Sequence, residues 1–210
     1  MITVATLLWQ SNRHSRDFSS MYSEAWAEKL YRGFARNLTQ PFRFVCYTDQ
    51  PRTFREPIVQ ARIASPEPSY ADCIQPYEMG EPMILVGLDT VICGNIDHLA
   101  DYCLTGDVIA LPVDPYAKGK GGERIACNGV ALVPAGHEHV FTAWNGENDM
   151  DWMRRNEHVF IEDVFGEGQV VSYKASVRKN GLADARICYF HGQEKMHQLK
   201  PGNPVLEHWI

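Results

Sequence analysis

Two stretches place chemically capable side chains directly after apolar runs. ILVGLDTVICGNID (84–97) delivers a carboxylate, Asp89, and CYFHGQEK (188–195) delivers an imidazole, His191, with Gly192 beside it and the ammonium of Lys195 close behind. A carboxylate and an imidazole brought together at strand ends can share one divalent cation, and oxygen and nitrogen donors of this kind suit manganese or magnesium. A lysine beside them neutralises phosphate. Together these groups suit the diphosphate of a nucleotide.

These residues need a sheet to position them. Residues 2–8 are short, apolar and β-branched and read as a first buried strand. In residues 21–38, Tyr22, Ala25, Trp26, Leu30, Phe34 and Leu38 recur at helical spacing, with Ser19 or Ser20 as the expected cap. PFRFVCYTD (41–49) gives the second strand and completes a βαβ unit. The spacing then predicts a short strand at 58–63, a short helix at 70–79, the strand ending near Asp89 and an extension over 90–93. Further strands are expected at 107–113, 125–133, 169–173 and 186–190, with helices at 137–144 and 159–165. The expected fold is α/β, with a central mixed, mostly parallel sheet flanked by helices, in one domain spanning residues 1–210. Ligands collect at the carboxyl ends of the strands in open sheets of this kind.

The composition narrows the class. At 210 residues, with 45% hydrophobic and 22% charged residues, the chain has the content of an ordinary soluble globular protein. Its formal charge of −6 argues against a general nucleic-acid binder, which needs a basic surface. No apolar stretch approaches the roughly 20 residues of a membrane span. The first residues lack a basic region and read as a strand rather than a signal peptide. None of the six cysteines forms a C-x-x-C pair, so buried free thiols and a reducing, cytoplasmic location are expected.

Taken in order, TVATLLWQ, PFRFVCYTD, ILVGLDTVICGNIDHL, ACNGVALV, VVSYK and YFHGQEK resemble the GT-A-fold glycosyltransferases, in particular family 8 and its bacterial and phage relatives. The resemblance runs from residue 2 to about residue 200. It implies a transferase moving a hexose from a nucleotide diphosphate sugar, a uridine one, to an unidentified acceptor with retention of configuration. It also implies a manganese or magnesium ion held by Asp89 and His191, with Gly192 and Lys195 at the diphosphate. Asn128 and Gly129 match the segment beside the donor sugar, and Thr6 and Leu7 lie where the first strand meets the base. Cys73 takes the place of a basic residue that faces the donor. Glu157 and His158 stand where an Asp-Gln pair is typical. The chain departs from the pattern at Gly87, which replaces the first aspartate of Asp-x-Asp, and at Glu194 and Met196, which replace two prolines.

Plainer readings stand beside these. Asp89 can cap a turn, and His191 can be a hydrogen-bonded core histidine. Glu157 and His158 fit an acceptor-facing pair and an exposed helix start equally well. Asp97 and His98 read as a solvated turn, His137 and His139 as surface residues, and the tryptophans as packing, with Trp152 placed where an acceptor would dock. The loop 118–122 lacks the residues of a phosphate-cradling P-loop and reads as a mobile lid. Two other functions remain open: a nucleotide-binding protein without turnover, and a structural or interaction protein with no ligand.

Overall fold

The computed structural model describes residues 1–15 and 17–210. Alternation along the central strands sorts side chains into two cores, one on each face of the main sheet. In β1 (Ile2–Leu8), Ile2, Val4 and Leu8 pack on one face and Ala5 and Leu7 on the other. The first face is covered by α1 (Glu24–Asn37), which buries Trp26, Ala27, Leu30 and Phe34 along one stripe. Next come β2 (Phe42–Thr48) and β3 (Ile58–Arg62). Phe44 and Cys46 of β2 join the α1 side, and Val45 and Tyr47 the opposite side.

After β4 (Met83–Val86) the chain turns through Gly87, Leu88 and Asp89 into β5 (Thr90–Ile92) and α2 (Asp97–Thr105). Then follow β6 (Ile109–Leu111), β7 (Val130–Val133), α3 (His139–Thr142), α4 (Asp149–Arg155), β8 (His158–Phe160), α5 (Ile161–Phe165), β9 (Val170–Ser172) and β10 (Ile187–Tyr189). Among the described residues the main sheet has the order β3-β2-β1-β4-β7-β6-β8, antiparallel only where β7 meets β4 and β6. A small sheet has the order β5-β10-β9. The mixed, mostly parallel α/β architecture is the expected one.

Several element expectations are corrected. The first helix starts at Glu24, with Ser23 at its cap position, because Asp17–Met21 forms a separate 3₁₀ turn. Tyr70–Met79 is also 3₁₀ and contains Pro76, which has no N–H to give an α-helical ladder. The strand expected at 125–133 begins only at Val130; before it, Ala126 makes an isolated bridge to Val113. Residues 159–165 divide between the edge strand β8 and the one-turn helix α5. Asp97 and His98, read as a turn, open α2, and α4 went unpredicted.

Candidate active site

The turn joining β4 to β5 carries the chain from one sheet to the other, and Asp89 sits at that crossing. The backbone of Gly87 donates to the Gly129 carbonyl (3.3 Å), and Phe190 donates to the Asp89 carbonyl (2.9 Å). The second bond continues the antiparallel register of β5 and β10, in which Tyr189 stands opposite Thr90. His191 therefore emerges immediately beyond the residue bonded to Asp89. Main-chain pairing brings the two distant motifs together.

Beyond His191 the chain curls sharply. Gly192 (φ 61°) and Glu194 (φ 69°) both occupy the left-handed region. A proline, fixed near φ −65°, cannot take the conformation of Glu194, which explains one departure from the family pattern. Glu194 also pairs with Arg178 at 3.0 Å. The curl returns Lys195 to the sheet, where only 1% of its surface stays exposed and its ammonium ion-pairs with the Asp89 carboxylate. Burying an ammonium is costly unless a carboxylate faces it.

These residues rim a cavity of about 400 Å³ at the carboxyl ends of β1 and β4. Asp89, His191, Gly192 and Lys195 border it together with Leu7, Cys73, Asn128 and Gly129, so eight of the sequence-derived candidates converge there. Gly129 packs closely: a Cβ there would lie 3.2 Å from the Tyr189 ring. Thr6 is fully buried but is not among the residues bordering the cavity, because it alternates with Leu7 along β1. Glu157 and His158 do not border it either. Glu157 is exposed, and His158 starts β8 with its ring edge-on to Phe160. A shallower groove near Ser65 and Trp144 includes Asp72, whose carboxylate accepts from the Ser69 N–H at 2.7 Å in a helix cap.

The structure adds residues that sequence reasoning missed. Asp149 lies in the first turn of α4, where Asn148 caps the helix by accepting from the N–H groups of Met150 (3.0 Å) and Asp151 (3.2 Å). Asp149 enters the cavity and accepts from Asn128 Nδ2 at 3.0 Å. Burial pushes its carboxyl above the ordinary range, against the hydrogen bonds from Asn128 and Met150. Its signal was present in Asn-Asp-x-Asp after a glycine, a helix-start pattern. Burial, followed by the Asp149 charge, also pushes the Cys73 thiol well up. The Tyr22 phenol faces Asp89 and is raised by burial and then by that charge.

Two buried polar atoms at this cavity have no protein partner among the described residues: the Trp9 indole N–H and the Asn128 side-chain oxygen. Unsatisfied buried groups are rare and call for an explanation, and a polar ligand supplies one. Trp9 and Tyr70 meet edge to face at 5.7 Å and give the cavity an aromatic wall. His191 Nε2 lies 3.2 Å from the Ser172 hydroxyl, and its ring is 4.8 Å from that of Tyr116. Burial, then the charges of Lys174 and Lys195, hold its imidazole below the usual histidine range.

As a cation site this donor set fits poorly. Asp89 is committed to Lys195, and among the described residues no group of three or more His, Cys, Asp or Glu side chains is arranged to hold a metal. Gly87, two residues before Asp89, offers no donor, and a Cβ there would lie 2.7 Å from Asp89 Oδ1.

The architecture is that of the GT-A glycosyltransferases. No protein-family model matches the sequence, and no curated protein does. Similar solved structures include the glycosyltransferase GlyE of Streptococcus pneumoniae TIGR4, with a TM-score of 0.59 and 11% identity over 99% of this chain and 59% of that one. The bifunctional glycosyltransferase WbbM gives 0.59 and 10%, over 92% of this chain and 46% of its own. The galactosyltransferase LgtC, in complex with donor and acceptor sugar analogs, gives 0.53 and 10%, over 98% and 91%. The chain thus spans about three fifths of GlyE and under half of WbbM. At these identities the likeness concerns the fold. Among the described residues no helix is long and apolar enough to cross a membrane.

Proposed function

We propose that the chain is a glycosyltransferase that moves a hexose from a uridine diphosphate sugar to an acceptor. The observation carrying this reading is the fully buried Lys195 ammonium at the rim of a cavity at the carboxyl ends of parallel strands. Cleaving a sugar–phosphate bond puts charge on the departing diphosphate, and a preorganised ammonium in a desolvated site stabilises that charge as it develops. The Trp9 N–H and the aromatic wall suit a nucleoside, and Asn128 with Asp149 offers an acceptor and a carboxylate to sugar hydroxyls. Retention of configuration follows from the family 8 resemblance: the leaving phosphate oxygen takes the acceptor's proton on the same face. The six cysteines are free, which suits the cytoplasm as the working compartment.

The test is release of uridine diphosphate from UDP-glucose or UDP-galactose, with and without manganese, by the parent chain and by Lys195→Met. Turnover that Lys195→Met abolishes supports the reading. Absence of both turnover and binding of uridine diphosphate sinks it. Gly87 motivates a second reading, a nucleotide-binding protein without catalysis, which predicts binding with no release from any donor.

A further inference from the structure

We propose that the diphosphate of the nucleotide is held by two lysines, Lys174 and Lys195, with no divalent cation. This inference rests on the glycosyltransferase reading above and concerns how the same site manages charge. Lys174 lies in the single π-helical turn Tyr173–Val177 that follows β9. Ser172 anchors that turn: its hydroxyl accepts from the Ala175 N–H at 3.2 Å and lies 3.2 Å from His191 Nε2. The Lys174 ammonium thereby reaches over Gly192, where its Nζ would lie 3.5 Å from a Cβ. Gly192 itself is called for by its left-handed backbone.

The electrostatics then favour an anion over a dication. Two ammoniums flank the end of β10: the Lys195 charge acts on Lys174, and both charges act on His191. Asp89, the carboxylate opposing them, is ion-paired with Lys195. Glu194 is paired with Arg178, and Asp114, whose charge also reaches His191, with Arg154 at 2.7 Å. A dication placed between Asp89 and His191 would meet two ammoniums against a single carboxylate, a surplus of one positive charge once the Lys195–Asp89 pair is counted. A diphosphate placed there meets complementary charge without bringing a metal. Gly87 fits the same scheme, because it adds no carboxylate and a Cβ there would crowd Asp89 Oδ1 at 2.7 Å.

The experiment is calorimetric titration of uridine diphosphate into the full chain, once in EDTA and once in millimolar manganese, with Lys174→Met measured in parallel. Lys174 is partly exposed, so its substitution is compatible with folding, which a melting curve verifies. The expected result is binding in EDTA, less than tenfold strengthening by manganese, and weakening of tenfold or more in Lys174→Met. Binding that manganese strengthens tenfold or more overturns the inference and leaves the glycosyltransferase reading intact. Unchanged affinity in Lys174→Met also overturns it. Absence of binding in both solutions overturns the inference and the reading together.

Discussion

Asp89 and Lys195 stand 106 residues apart and meet as an ion pair whose lysine is almost wholly withdrawn from water. Removing either partner strands the other. Asp89→Asn and Lys195→Met are each expected to lower stability by about 3–5 kcal/mol, and the double variant by less than the two losses combined. Urea unfolding of the four proteins checks this. Purely additive losses would mean that the pair contributes no coupling.

Gly87 is fixed by space rather than by backbone conformation. Its absent Cβ would fall 2.7 Å from Asp89 Oδ1, and that carboxylate is held by Lys195. Gly87→Ala is therefore expected to cost about 1–3 kcal/mol, most of it recovered in an Asp89→Ala background. Thermal melts of the single and double variants decide. An equal cost in both backgrounds would place the strain elsewhere.

Asp149 makes a prediction about pH. Its folded-state value lies above the ordinary carboxylate value of about 3.9, chiefly through burial. Ionising it therefore costs stability: the penalty is absent below the unfolded value, grows as pH rises through the folded value and is complete above it. Asp149→Asn should melt higher than the parent at pH 8, with a gain that shrinks to nothing near pH 4. A gain of constant size across that range, or none at pH 8, would refute the assignment. The same carboxylate enters the proposed sugar site, so the stabilised variant is expected to turn over more slowly.

Residues that follow apolar runs were legible from their neighbours. The strand ending near Asp89 and the one ending before His191 announced themselves as apolar runs, and Asp89 and His191 both border the cavity. Asp149 was harder to read, because the helix it opens is only seven residues long and has a single buried residue, Met153, which is too little for periodicity to register. Glu157 and His158 were placed by similarity of pattern. His158 opens the edge strand β8 with Glu157 just before it, and neither is among the residues that border the cavity. Thr6 shows the limit of placement by segment: one residue along a strand reverses the face.

By itself the sequence determined the α/β class, the apolar runs that form its buried strands and the run ends that carry Asp89, His191 and Lys195, since each follows from local hydrophobic pattern. Only the tertiary structure decided that Lys195 answers Asp89, that a Cβ at Gly87 would crowd the Asp89 carboxylate and that Asp149 shares the cavity. Those are distances between segments far apart along the chain. They are set by strand register and by two left-handed residues, which no local pattern encodes.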